Sequence, residues 1–168
     1  MCADYITAFA ACVAAFAAVV SAAAFIYSLV YVRSQLKEMR IATEATAFSK
    51  ALEILQDNAC REARRVVFGS LASKPFGSWS ILEKYYGERV CQSYDQVGKM
   101  VYARMFREDL VVDNWEYSLR RSWEILEPLV NEYRLRRGSE KLWDDFEELA
   151  KEAIRRNSDR EALKTRQA

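Results

Sequence analysis

The first part of the chain contains one long run without a charged side chain, over residues 5–32. Such a run is typical of a helix that crosses a lipid bilayer. At 1.5 Å per residue it would span roughly 42 Å, more than a hydrocarbon core of about 30 Å, so its ends would lie among the lipid headgroups. Tyr5, Tyr27 and Tyr31 suit that region, because their rings are apolar and their hydroxyls polar. The sequence predicts a single transmembrane helix over residues 5–32.

A cleaved signal peptide is the main alternative for this run, because residues 21–24 are small, as at a cleavage site. However, no Lys or Arg precedes the run, and its hydrophobic character continues past that position to Val32. A mature secreted chain would become polar there. An uncleaved membrane anchor is therefore the favoured interpretation.

The charges that flank the run predict its orientation. The N-terminal side carries only Asp4, whereas Arg33, Lys37 and Arg40 follow the run closely. Basic residues next to a membrane helix remain on the cytoplasmic side. We therefore expect a single-pass protein of the cytoplasmic (inner) membrane, with residues 1–4 on the extracytoplasmic side and the C-terminal part in the cytoplasm. Arg33, Lys37 and Arg40 are the expected headgroup contacts.

Small side chains recur at every fourth position of the run, which places them on one face of a helix: Ala10, Ala14, Ala18 and Ala22. Such a face lets a second transmembrane helix approach closely. A second copy of the chain and another membrane protein are both candidates for this partner. The alternative is that a run this rich in alanine produces the spacing by chance.

The rest of the chain is predicted to be all-α. Residues 33–56 contain no Gly or Pro, so the membrane helix is expected to continue into a juxtamembrane stalk. Residues 57–156 are predicted to form a small cytoplasmic bundle of four to five helices. The polar residues 157–168 are predicted to fray into a disordered tail.

Local signals predict where the first bundle helices begin and end. Either Asp57 or Asn58 can cap a helix that runs to about Ala72. After a turn with both Pro and Gly, Ser78 is the expected cap of a short helix. We expect Gly87 to end that helix and a further helix to follow as far as Phe106.

Later signals divide the C-terminal half. A turn is expected over residues 109–113, and a helix after it should either kink or restart at Pro128. Gly138 follows two arginines, as at a helix C-terminus. Ser139 is the expected cap of the last helix.

Helical spacing predicts the core of this domain. Large apolar residues share one face in each of the last two predicted helices: Trp115, Leu119, Trp123 and Leu126 in the first, and Trp143 and Phe146 in the second. The tryptophans would also suit a binding surface. Core packing is the favoured interpretation, because aromatic residues at helical spacing usually face the interior.

Arg61, Arg64 and Arg65 form a compact basic cluster in the first bundle helix. One interpretation is a surface that contacts anionic headgroups or an acidic partner. The favoured interpretation is a solvated face that nearby carboxylates such as Glu53 and Asp57 neutralise.

Composition weighs against nucleic-acid binding and against many kinds of enzyme. The 25 basic and 24 acidic residues leave a net charge of +1, which does not favour nucleic acid as a partner. There is no histidine, the commonest general base and metal ligand. The four cysteines form no CxxC pair and are interpreted as reduced thiols. We find no catalytic motif and expect no cofactor.

A metal site is also not expected from the sequence. Asp144, Asp145, Glu147 and Glu148 form an acidic group near the last predicted helix. Consecutive carboxylates on a helix point in different directions, so they do not converge on one ion. A solvated helix face is the favoured interpretation.

Several short motifs resemble those of a bacterial and phage family, the domain of unknown function 4760. They are Val90-Cys91, Tyr94-Asp95-Gln96-Val97-Gly98, Ser122-Trp123, Leu126, Pro128, Arg134, Trp143 and Phe146-Glu147. The resemblance covers most of the chain after Arg33. It implies one N-terminal membrane helix with a small helical cytoplasmic region, and it implies no activity.

Two functions are consistent with these features. The first is a membrane-anchored interaction or scaffold protein whose partners are the lipid bilayer and an unidentified protein. The second is a membrane-bound effector or enzyme, in a phage or defence setting, whose carboxylates, arginines and tyrosines form a site only in the folded chain. The missing catalytic motifs favour the first.

Overall fold

The computed structural model describes the backbone of residues 2–167 and the side chains of residues 20, 21 and 24–166. The described chain contains helices and no strand, which confirms the all-α prediction. The five α-helices are α1 (Cys2–Gln56), α2 (Asn58–Gly69), α3 (Ile81–Tyr102), α4 (Asp109–Arg137) and α5 (Asp144–Gln167). Two 3₁₀ helices, Leu71–Ser73 and Phe76–Ser78, connect α2 to α3.

The chain divides between Thr43 and Glu44 into two units. Among the residues that the structure describes, no helix combines the length and apolar character needed to cross a membrane. The predicted transmembrane segment, residues 5–32, lies mostly outside the residues whose side chains are described.

The second unit has one core, to which every helix from the end of α1 onwards contributes. The largest fully buried side chains of the core come from five helices and one 3₁₀ helix: Leu55, Val67, Leu71, Val90, Tyr94, Val97, Val111, Leu119, Leu126, Leu129, Phe146 and Leu149. Aromatic rings join three of the helices, because Phe146 stacks on Tyr94 and meets the edge of Trp123. The unit is therefore held together mainly by apolar burial.

The junction of α1 and α2 is capped on both sides. The Asp57 carboxylate accepts hydrogen bonds from the N–H groups of Ala59 and Cys60, so Asp57 rather than Asn58 is the N-cap of α2. Arg64 reaches back from α2 and donates from Nη2 to the Leu55 carbonyl oxygen at 2.6 Å. This bond pairs a carbonyl that the end of α1 leaves without a helical partner.

Helix α3 differs from the sequence prediction at two points. Ser80, not Ser78, is its N-cap, and Ser80 forms a reciprocal capping box with Glu83. Gly87 lies inside the helix instead of ending it. A Cβ there would lie only 2.7 Å from Leu129 Cδ2, so the glycine permits close packing of α4 on α3. Tertiary packing explains this glycine better than helix termination does.

Helix α4 begins at Asp109, within the segment predicted to be a turn. Its backbone departs from helical φ and ψ angles at Trp115 (φ −123°, ψ 17°), which marks a kink. Pro128 lies within α4. The helix ends at Gly138, whose positive φ of 59° confirms the predicted glycine terminus.

The prediction that Ser139 caps the last helix is wrong. Residues 139–143 form a turn, and α5 begins at Asp144. Trp143 has a left-handed φ of 59°, which interrupts the helical path, and its buried ring packs on Tyr133 with centroids 5.6 Å apart. Burial of this ring offsets the backbone cost, which is of order 1 kcal/mol.

Helix α5 continues to Gln167, so residues 157–167, which the sequence indicates as a fraying tail, are helical in the structure. Ion pairs of Arg156 and Arg160 tie the C-terminal half of α5 to α4. Arg156 Nη1 lies 2.9 Å from Asp113 Oδ1, and Arg160 Nη1 lies 2.8 Å from Glu116 Oε2. These contacts supply tertiary support that the polar sequence does not reveal.

Candidate functional site

An open polar cleft of about 900 Å³ lies in the second unit, between the end of α1, the start of α2 and the middle of α3. Only one of its lining residues, Ile54, is apolar. The polar ones are Glu53, Gln56, Asp57, Asn58, Arg89, Gln92, Ser93, Asp95, Gln96 and Lys99. A cleft of this size and polarity suits a charged or hydrogen-bonding ligand better than an apolar one.

Arg89 and Asp57 form an ion pair across this cleft. Their Nη2 and Oδ2 atoms lie 3.4 Å apart. The hydrogen bond from the Cys60 N–H makes the largest contribution to lowering the pKa of the Asp57 carboxyl below its usual range, and Arg89 makes a smaller one. Arg89 Nε is buried and has no hydrogen-bond partner in the described part of the chain. The guanidinium therefore has one donor that no described residue uses.

Asp95 also lines the cleft and is 5% exposed. Its Oδ2 accepts a hydrogen bond of 2.6 Å from Lys99 Nζ, one turn further along α3. Its Oδ1 is buried and has no hydrogen-bond partner among the described residues. A buried carboxylate with one unpaired oxygen is costly, so it needs an explanation.

Asp95 also belongs to a second group, the carboxylate cluster, which it forms with Asp144 and Asp145. One carboxylate oxygen from each residue lies within 4.8 Å of the other two. Desolvation, followed by the negative charges of Asp144 and Asp95, raises the pKa of Asp145 above its usual range. The cluster therefore concentrates negative charge at the start of α5.

Gly98 brings these carboxylates together. A Cβ on Gly98 would lie 2.7 Å from Asp145 Cβ and 2.8 Å from the Asp145 carbonyl oxygen. Only a glycine lets α3 approach the start of α5 this closely. Sequence reasoning missed Asp95 as a partner of the two later aspartates. The available signal was Gly98, three residues after Asp95, which indicates a close helix crossing without identifying the second helix.

The other two carboxylates of the acidic group in the sequence, Glu147 and Glu148, do not join the cluster. Glu147 Oε2 lies 2.7 Å from Arg134 Nη1, and Glu148 Oε1 lies 2.9 Å from Lys151 Nζ. The cluster therefore combines two neighbouring aspartates with one from another helix.

The three arginines of the predicted basic cluster have different environments in the structure. Arg64 is half-buried and donates to the Leu55 carbonyl and to Cys60 Sγ, so it stabilises the fold. Arg61 and Arg65 are exposed and form no ion pair in the described part of the chain. The Asp57 carboxylate, one of the expected counter-charges, is instead paired with Arg89.

The remaining predicted residues lie in both units. Leu119, Leu126, Trp143 and Phe146 are buried, whereas Trp115 and Trp123 are half-buried against the same core. In the first unit, the predicted headgroup contacts Arg33, Lys37 and Arg40 are exposed. The predicted helix-packing face, Ala10, Ala14, Ala18 and Ala22, lies outside the residues whose side chains are described.

Comparison with known proteins gives one match. The family described as Domain of unknown function (DUF4760) matches residues 8–153, which confirms the resemblance seen in the sequence. No curated protein and no solved structure matches the chain. The matched range includes Asp95, Asp144 and Asp145 as well as the polar cleft. The chain belongs to the DUF4760 family of domains of unknown function.

Proposed function

We propose that this protein is a membrane-anchored helical interaction protein, in which the first unit holds the chain in the cytoplasmic membrane and the second unit binds a cytoplasmic protein. The observation that carries the proposal is the exposed apolar surface of the first unit. Its described large apolar side chains are between 45% and 74% exposed: Val20, Phe25, Ile26, Tyr27, Leu29, Val30, Tyr31, Val32, Leu36, Met39 and Ile41.

This surface is too apolar for a helix that only faces water. Burial of one large apolar side chain is worth roughly 1.5–3 kcal/mol, and many such side chains lie on a single helix here. Contiguous apolar surface of this kind marks a membrane or protein contact. The uncharged sequence before it, back to Tyr5, favours lipid as the contact.

Charge supports the orientation of the anchor. Exposed Arg33, Lys37 and Arg40 follow the apolar run, which favours retention of the second unit in the cytoplasm. Tyr27 and Tyr31 stack with centroids 6.5 Å apart just before these basic residues, where tyrosine side chains suit the headgroup region.

Exposed Arg61 and Arg65 support an acidic protein partner for the second unit. No described carboxylate neutralises them, so their charge is available to another molecule. Arg61→Glu with Arg65→Glu should abolish recovery of that partner by crosslinking in intact cells. Lys141→Glu, a charge reversal at another exposed position, is the matched control and should leave recovery unchanged. Equal loss in both variants would contradict the assignment of this surface.

Membrane fractionation tests the anchor itself. The full-length protein should remain in the membrane pellet after an alkaline carbonate wash, which removes peripheral proteins. Phe16→Lys with Val20→Lys should move the protein to the supernatant, because both positions lie near the middle of the uncharged run over residues 5–32 and lysine at the centre of a membrane helix costs about 2.5–3.5 kcal/mol. Phe16→Leu with Val20→Ile is the matched control. Extraction of the unmodified protein by carbonate would refute anchoring.

Self-association through the alanine face is part of the same proposal. A membrane two-hybrid assay of the full chain should give a signal that Ala14→Ile with Ala18→Ile removes, because larger side chains prevent close helix approach. If the double variant keeps the full signal, this face is not the interface.

The polar cleft favours a second candidate function, that of a membrane-bound effector or enzyme. Arg89 Nε and Asp95 Oδ1 are both buried without a hydrogen-bond partner among the described residues, and both residues line the cleft. Arg89→Gln and Gln92→Ala should then abolish a cellular phenotype of the gene without loss of partner recovery. An unchanged phenotype in both variants would leave binding of a partner as the supported function.

A further inference from the structure

The unpaired oxygen of Asp95 is the starting observation. Asp95 is 5% exposed, and its Oδ1 has neither a hydrogen-bond partner among the described residues nor access to solvent. Carboxylates in such positions are normally paired, protonated or bound to a metal ion. The two nearest carboxylates, Asp144 and Asp145, increase the cost, because they add negative charge within 4.8 Å.

Capping of α5 explains two of the three aspartates. Asp144 and Asp145 lie in its first turn, where negative side chains interact favourably with the helix dipole, and Asp144 Oδ1 accepts a hydrogen bond from the Asp145 N–H. Asp95 is different, because it accepts no hydrogen bond from any described N–H group of α5. Its position against the other two carboxylates therefore has no explanation in helix capping.

The three oxygens lie close enough together to coordinate one calcium-sized ion. Ca²⁺ binds oxygen ligands at about 2.4 Å, so two oxygens on opposite sides of the ion lie about 4.8 Å apart. The cluster oxygens lie within that limit without any movement. Mg²⁺ needs near-ideal octahedral geometry and loses its water reluctantly, so three aspartate side chains suit the more flexible coordination of Ca²⁺ better. Asp144 and Asp145 are partly exposed, so water has access to the remaining coordination positions.

Charge leads to the same conclusion. Three carboxylates carry more negative charge than the single ammonium group of Lys99 balances. Lys99 Nζ contacts Asp95 Oδ2 at 2.6 Å, yet its side chain is 63% exposed. It is therefore free to swing into solvent when another cation approaches, and it acts as a competitor for the site.

We propose that Asp95, Asp144 and Asp145 bind a hard divalent cation of calcium size, which displaces Lys99 from the Asp95 carboxylate. The ion bridges α3 and the start of α5, next to the close contact at Gly98. This site is independent of membrane anchoring, since all of its residues lie in the second unit.

The test uses the full-length protein, purified in detergent and freed of metal with a chelator. Thermal unfolding is followed by circular dichroism with and without CaCl₂, and Tb³⁺ luminescence reports binding directly. Because an ion that binds only the folded state stabilises it, CaCl₂ should raise the midpoint by a few degrees. Asp95→Asn and Asp145→Asn should each remove this rise. Asp159→Asn, an exposed aspartate of α5 outside the cluster, should retain it.

The variant Lys99→Gln is expected to strengthen ion binding, whereas the aspartate variants are expected to weaken it. It therefore still tests the proposal if an aspartate variant does not fold. Loss of the competing ammonium group should tighten Tb³⁺ binding several-fold and enlarge the rise caused by CaCl₂. MgCl₂ should give a smaller rise than CaCl₂ at the same concentration. No rise in the unmodified protein, an equal rise in Asp95→Asn, or an equal effect of MgCl₂ would overturn the proposal.

Discussion

Gly98 is the position where a single added methyl group should perturb this fold most clearly. A Cβ there would lie 2.7 Å from Asp145 Cβ, 2.8 Å from the Asp145 carbonyl oxygen and 2.9 Å from its carbonyl carbon. Ordinary contacts between such atoms begin near 3.5 Å, so the start of α5 would have to move by roughly 1 Å. Two of the three atoms belong to the backbone, so a rotamer change cannot relieve the contact.

The expected effect of Gly98→Ala is the difference between two opposing contributions. Overpacking in a tight core costs typically 1–3 kcal/mol, and contact with backbone places this substitution at the upper end. The better helix propensity of alanine offsets about 1 kcal/mol. We therefore expect a net loss of about 2 kcal/mol in the free energy of unfolding, or a midpoint lower by roughly 5–10 °C.

Thermal unfolding of the full-length protein in detergent, followed by circular dichroism, measures this change. Gly69→Ala is the matched control, because Gly69 is the last residue of α2 and a Cβ there meets nothing within 4 Å. It should leave the midpoint unchanged or raise it. If Gly98→Ala is as stable as Gly69→Ala, the close approach of α3 and α5 is not a packing constraint, and the reasoning fails.

Two further predictions concern polar contacts of the second unit. The pKa of Glu83 is lowered to about 2, mainly by the Lys74 ammonium and to a smaller extent by the capping bonds with Ser80. The ionised Glu83 side chain therefore stabilises the fold fully above its ordinary pKa of 4.5, and this stabilisation is lost as the pH falls towards 2. Glu83→Gln should therefore be less stable than the unmodified protein at pH 7 and nearly equal to it near pH 2; equal stability at both pH values would contradict the cap. Arg64→Met should lower the free energy of unfolding by about 1–3 kcal/mol in urea titrations, because it leaves the Leu55 carbonyl oxygen without its side-chain donor. The control Arg65→Met should stay within about 0.5 kcal/mol, and similar losses in both would argue against the role of Arg64.

Sequence-based predictions were confirmed where the interaction joins residues that are close together along the chain. Asp57 caps α2 through N–H groups two and three residues away, and Gly138 ends α4 because only a residue free to adopt positive φ fits there. The helical spacing of apolar residues predicts the all-α class and the inward position of Phe146. Each of these depends on contacts within a few residues.

Tertiary contacts explain the points where local reasoning failed. Gly87 is a helix breaker by propensity, but Leu126 and Leu129 pack against it inside a continuous α3. Ser139 is a good cap by type, but burial of Trp143 in a left-handed conformation delays the start of α5 to Asp144. In both cases packing of a large side chain outweighs a local preference of about 1 kcal/mol.

The amino-acid sequence alone determined the uncharged N-terminal run, the basic residues after it, the helical class and the family resemblance, because these depend on composition and on spacing along one helix. Only the tertiary structure decided that Asp95 meets Asp144 and Asp145, and that Arg64 is part of the fold while Arg61 and Arg65 stay exposed. The physical reason is the distance along the chain. About fifty residues separate Asp95 from Asp145, and packing of α3 on α5 at Gly98 brings their carboxylates together.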